Sequence, residues 1–156
     1  MWVSRRKQQT GGFSLIELLV VTAIIVVILA VAVPRIKEAG LNAVETMVVR
    51  EVQTLGQAQT QYQSQFGKFA ASLSGLGPAG GTAGPQAANL IPASLASGEK
   101  DGYLFVIALT PVGYSVNANP KVFGGTGRRT FYLDQDGIVH QNWSQEPASV
   151  VSPEFK

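Results

Sequence analysis

From Phe13 to Val33 the chain has 21 residues, of which only Ser14, Glu17 and Thr22 are polar. Coiled as a helix, this run rises about 31 Å, the thickness of a hydrocarbon core, so its length predicts a membrane span. Past Pro34 the pattern changes. Apolar residues at Ile36, Ala39, Ala43, Met47, Val48, Val52, Leu55, Ala58, Tyr62 and Phe66 recur mostly at intervals of three and four, which predicts an amphipathic helix. A helix continuous from Phe13 to about Gln65 would run roughly 80 Å, its first part apolar all round and its second part packing under a domain. Pro34 removes one helical hydrogen bond, and Gly40 and Gly56 each weaken the helix by about 1 kcal/mol relative to alanine. Lys37, Glu38, Glu45 and Arg50 read as solvated positions beside the apolar stripe.

The pattern then shortens. Residues 72–86, SLSGLGPAGGTAGPQ, are dense in glycine and proline and poor in large apolar residues, predicting an irregular connection of the kind that is often functional or mobile. NLIPASLASG, from Asn89, predicts a helical turn or two. Tyr103–Leu109 and Gly113–Ala118, split by Thr110-Pro111-Val112, predict a hairpin. Thr130–Asp134 and Ile138–Gln141, on either side of Gln135-Asp136-Gly137, predict a second. The expected fold class is α+β: a long N-terminal helix on a small antiparallel sheet of about four strands. The segments are a leader at 1–12, a membrane or filament-core helix at 13–34, an amphipathic helix at 35–66, a connecting loop with a short helix at 67–101, the sheet at 102–142 and a tail at 143–156. The tail is expected to be loose or laid against the sheet, with Trp143 anchoring its start.

Charge bears on partners. The formal net charge is +2, from 12 Lys and Arg against 10 Asp and Glu. Arg5, Arg6 and Lys7 account for three of those cations, so without the leader nine face ten and the basic character disappears. Arg128-Arg129 is too small for a phosphate track, and no nucleic-acid partner is predicted. With no cysteine, any folded part outside the cytoplasm is held by packing and hydrogen bonds alone.

The basic cluster ahead of the apolar run predicts a cytoplasmic N-terminus, with everything after Val33 outside. Three accounts fit such a run. One is a secretory signal peptide cut near Ala30-Val31-Ala32, but its apolar stretch should span only about 7–15 residues. Another is a plain single-pass anchor, for which an acid at mid-membrane costs about 2.5–3.5 kcal/mol. The third makes use of the residues around Glu17. Gly11-Gly12 followed by FSLIELLVVTAIIVVILAVAVP resembles the class III leader and N-terminal segment of type IV pilins and type II secretion pseudopilins. The resemblance implies cleavage between Gly12 and Phe13 by a prepilin peptidase, N-methylation of Phe13, a register role for Glu17 as fifth residue of the mature chain, and a helix-kinking role for Pro34. It also implies an assembly ATPase and an inner-membrane platform as partners. The product would be a helical homopolymer in the periplasm or outside the cell.

The physics of that arrangement is coherent. Cleavage would remove the cations and create an amine at Phe13, about 6 Å of helix rise from Glu17. A carboxylate in the opening turns is favoured by the helix dipole, and in a stack of helices the amine of one subunit can meet Glu17 of the next. DGYLF, GYSVNANP and GRRTFYLDQDGIV also resemble the sheet region of small pilin-like proteins. The chain lacks the cysteine pair of many pilins and the Asp-Pro-Trp-Gly segment usual in major pseudopilins. The expectation is a type IV pilus subunit, with a type II secretion pseudopilin as the alternative. From another class, a membrane-tethered binding domain would close residues 72–86 over a ligand without polymerising.

No residue pattern points to catalysis or to a cofactor. Asp134, Asp136 and Gly137 lack the spacing and terminal glutamate of a calcium loop and fit a tight turn better. His140 is the only histidine, which rules out a site with two imidazoles. Phe123–Arg129, FGGTGRR, lacks the Lys-Ser/Thr ending of a phosphate loop.

Overall fold

The computed structural model describes residues 12–156; the leader residues 1–11, with Arg5, Arg6, Lys7 and Gly11, lie outside the described residues. Helix α1 runs Leu15–Phe66, 52 residues, with Pro34 inside it. Two compact units divide the chain, the first ending at Glu38 and the second covering Ala39–Lys156. In the first unit the described helix is exposed along its length, with only Ala32 half-buried.

The second unit holds the core. Two one-turn helices, α2 at Leu73–Leu76 and α3 at Ala93–Ala96, lead into an open antiparallel sheet of order β1-β2-β3-β4-β5. Its strands are β1 Glu99–Lys100, β2 Tyr103–Thr110, β3 Gly113–Pro120, β4 Thr130–Asp134 and β5 His140–Asn142. The expected α+β, pilin-like arrangement is what the structure shows, with one strand more. Alternation directs Tyr103, Phe105, Ile107, Tyr114, Val116, Ala118, Phe131 and Leu133 inward, where Val48, Val52, Leu55, Ala58 and Tyr62 of α1 join them. Burying each large apolar side chain contributes roughly 1.5–3 kcal/mol.

The extra strand comes from Asp101-Gly102. Both have positive φ, 50° and 76°, the conformation of a two-residue hairpin turn, and they fold Glu99-Lys100 back onto Leu104 and Tyr103. Strand β5 starts two residues later than expected because the Val139 carbonyl accepts from Phe155 N–H at 2.8 Å, so this stretch pairs with the tail.

The expected stripe holds at Val48, Val52, Leu55, Ala58 and Tyr62, all buried, but not in the turns before them. Ile36, Ala39, Ala43 and Met47 are exposed, whereas Val44, Glu45, Val48 and Val49 turn toward the core. Glu45, expected to be solvated, is fully buried, and its carboxylate accepts from Arg128 N–H (2.6 Å) and Arg129 Nε (2.7 Å). Gly56 is less a weak point than a place of close approach. A Cβ there would stand 2.6 Å from Leu133 Cδ2.

The 72–86 stretch is also tied down. Leu73 and Leu76 are buried, and Tyr62 donates from its hydroxyl to the Pro85 carbonyl at 2.7 Å. Just before it, Gln59, fully buried, donates to the Ala70 carbonyl and accepts from the Ala70 N–H, both at 2.9 Å. The tail lies against the sheet, with Gln141 N–H donating to Pro153 O at 2.8 Å. Its buried anchor is Ala148, with Phe155 packed on the core, and not Trp143, which stays 59% exposed.

Replacing Glu45 with alanine strands the Arg129 guanidinium in the interior. Glu45→Ala is expected to lower stability by about 3–5 kcal/mol, against less than about 0.5 kcal/mol for Glu38→Ala on an exposed turn. Urea unfolding of the detergent-solubilised chain measures both.

Candidate processing and assembly site

Gly12, Phe13 and Ser14 precede the helix in non-helical conformation, so the Gly12–Phe13 bond lies outside the regular coil. The first helical bond runs from Leu18 N–H to Ser14 O at 3.1 Å. Ser14 is thus the residue that starts the helix. Its own N–H donates to Glu17 Oε2 at 3.1 Å, the backward half of a capping box, in which an acid three residues into a helix takes up a free amide.

Around Glu17 the surface is apolar. Phe13 is 78% and Leu15 82% exposed, and large aliphatic residues continue outward to Val33 and Ile36. Thr22 satisfies its hydroxyl internally, donating to Leu19 O at 2.9 Å, as a polar residue facing lipid must. The helix is long and apolar enough to cross a membrane. Among the described residues Glu17 has no cationic partner. Gly12, Phe13 and Glu17 fall within six consecutive positions, whereas Pro34 lies far along the helix from them.

The remaining sequence candidates have structural occupations. Asp134 closes the turn after β4: its Oδ1 accepts from Asp136 N–H at 3.0 Å, and its carbonyl accepts from Gly137 N–H at 3.1 Å. His140 places Nδ1 2.7 Å from the Ser152 carbonyl, holding the tail. Among the described residues no three His, Cys, Asp or Glu side chains group as metal ligands do.

Arg129 does what no local pattern announced. Its guanidinium pairs with Glu45 and lies 4.7 Å from the Trp143 ring centroid, 5.2 Å from that of Phe155 and 5.7 Å from that of Phe131. This joins helix, β4 and tail at one charge. Tyr103, fully buried beside it, donates to Arg129 O at 2.9 Å. Burial, helped by the Glu45 charge, pushes its pKa up, so the hydroxyl remains a donor. Lys100 pairs with Glu51 across from the helix, and that bond raises the lysine pKa. The signal for Glu45 lay in its neighbours, since Val44, Val48, Val49 and Val52 centre their shared face on it.

Comparison with known families decides what the exposed segment is. Residues 7–33 match the family described as prokaryotic N-terminal methylation motif. The chain carries a prepilin leader. This class III motif belongs to structural pilin-type subunits and not to an enzyme family, and it implies processing by a prepilin peptidase. It supports a precursor of the type IV pilin and pseudopilin kind, consistent with anchoring in a membrane and later incorporation into a filament. No curated protein and no solved structure matches the chain.

Because the prepilin segment exposes its apolar side chains while the second unit buries its own, the two should partition differently. A chain truncated to begin at Ala39 is expected in the soluble fraction and the full precursor in the membrane pellet, as read by fractionation and immunoblotting.

Proposed function

We propose that the chain is the precursor of a type IV pilus subunit. It is held in the inner membrane by residues 13–34 with its N-terminus in the cytoplasm, cut between Gly12 and Phe13, N-methylated at Phe13, and polymerised through α1. The observation that carries this proposal is the prepilin motif on a helix whose apolar face is exposed throughout and whose only acid before Glu38 is Glu17. Exposed aliphatic surface of that extent is stable only in lipid or against other helices. The lipid-embedded precursor and the filament core satisfy that demand in turn.

In this proposal each site residue has a task. Gly12 carries no side chain and leaves the scissile bond accessible. Phe13 supplies the new amine. Glu17 attracts the amine of an adjoining subunit and so fixes the axial step between subunits. Pro34 omits one backbone hydrogen bond, giving the rod a place to bend as subunits pack. An assembly ATPase and an inner-membrane platform would drive the extraction from lipid.

Mass spectrometry of the mature protein is expected to find N-methylated Phe13 at the terminus. An intact Met1, or a start near Val33, would sink the proposal. Glu17→Ala is expected to insert and be cleaved yet form no filaments by electron microscopy. Wild-type filament yield from that variant would remove the assigned role of Glu17.

A further inference from the structure

At the end of the second unit where the chain enters from the first, residues 121–128 form a loop joining β3 to β4. Arg128 Nη2 donates to Asn42 Oδ1 at 2.7 Å, which holds the loop beside the start of this unit's helix. The loop bonds much of its own backbone. Val122 O accepts from Gly125 N–H (3.0 Å) and Thr126 N–H (2.8 Å), and Gly124 N–H donates to Gly127 O at 2.7 Å. Val122 N–H in turn donates to Thr126 Oγ1 at 3.2 Å. Despite this order the loop turns its two large apolar side chains outward, with Val122 59% and Phe123 37% exposed. Lys121 and Arg128 bracket them. Lys121 is shared with Glu99, 2.6 Å away on the surface.

A loop that bonds the amides of Val122, Gly124, Gly125 and Thr126 internally, with projecting apolar side chains and a flanking cation, suits the boundary between headgroups and acyl chains, because few of its backbone groups need to keep water there. The length of the chain names the surface. Arg35 closes the apolar run and Asn42 is seven residues later, a span of at most about 25 Å even when fully extended. On the membrane-anchored reading, this tether keeps Asn42 within that distance of the end of the apolar run.

We propose that the 121–128 loop docks on the membrane surface, placing Val122 and Phe123 at the headgroup–acyl boundary with the exposed Lys121 toward anionic headgroups. The docked loop holds the folded unit against the bilayer before assembly. This inference rests on the membrane-anchored reading of residues 13–34.

The absence of cysteine allows single labels to be placed in the full-length precursor in lipid nanodiscs of phosphatidylethanolamine and phosphatidylglycerol. An environment-sensitive fluorophore goes on Val122→Cys, on Val112→Cys at the opposite end of the sheet, or on Ile25→Cys within the apolar run. Lipids bearing a nitroxide near the headgroup are expected to quench the label at position 122 on the order of threefold more than that at 112. Adding Phe123→Asp should bring position 122 down to the level of 112. Equal, weak quenching at 122 and 112, with strong quenching at 25 by lipids bearing the nitroxide deep in the acyl chain, overturns the docking while leaving the anchor intact. Failure to quench at 25 removes the anchor and the docking together. A blue shift at 122 that needs several chains per disc and shows no lipid quenching assigns the loop to a second copy, and likewise overturns the proposal.

Discussion

A carboxylate that enters hydrocarbon must either take a proton or lie beside a cation at its own depth. In the proposed membrane span Glu17 falls under that constraint, because no lysine or arginine occurs between Phe13 and Val33. In the described chain it accepts one amide hydrogen bond, from Ser14. One amide supports a carboxylate but does not neutralise it. The proposed cleavage creates the missing cation on Phe13, the residue next to Ser14, and an adjoining helix could present that cation to Glu17 in a way its own chain cannot. On this account processing and assembly are linked by one requirement for charge balance.

Glu45, on the same helix, shows how the chain behaves when it can meet that requirement internally. It is fully buried, yet it holds both the Arg129 guanidinium and the Arg128 amide. Such a pair adds little net stability over an apolar one, because desolvation offsets most of the attraction. What it supplies is position. The guanidinium is also enclosed by Phe131, Trp143 and Phe155, so one charge sets where helix, strand and tail meet in a unit without disulfides. Two acids on one helix are thus handled differently. The folded unit neutralises its own, and on the proposed reading the exposed segment leaves its acid for a partner.

The parts of this arrangement that were legible in the sequence are those written in local pattern. The apolar run, the connection after Leu109 and the Asp-Gly turn after β4 each depend on neighbouring residues and lie where the pattern put them, except that Thr110, read as part of the connection, pairs with Gly113 in the sheet. The amphipathic stripe was legible from Val48 to Tyr62, but its opening turns were misjudged because alanines at positions 39 and 43 mark a helix face weakly, and buried Glu45 and Gln59 were missed because they counted as polar. Their partners, Arg129 and Ala70, lie far away in sequence. The short strand β1 was missed although Asp101-Gly102 is a hairpin signal, since only two residues precede it in the strand. The tail could not be placed from periodicity, because Phe155 acts alone. At the start of the helix, the capping contact between Ser14 and Glu17 follows from their spacing of three.

The central claim is that Glu17 of one subunit is neutralised by the Phe13 amine of an adjoining one. High-resolution cryo-electron microscopy of purified filaments tests it most directly. The account predicts density that places the N-methylated amine of one chain within ion-pair distance of the Glu17 carboxylate of another, at every subunit step. A carboxylate facing lipid or water, or paired only within its own chain, would contradict it.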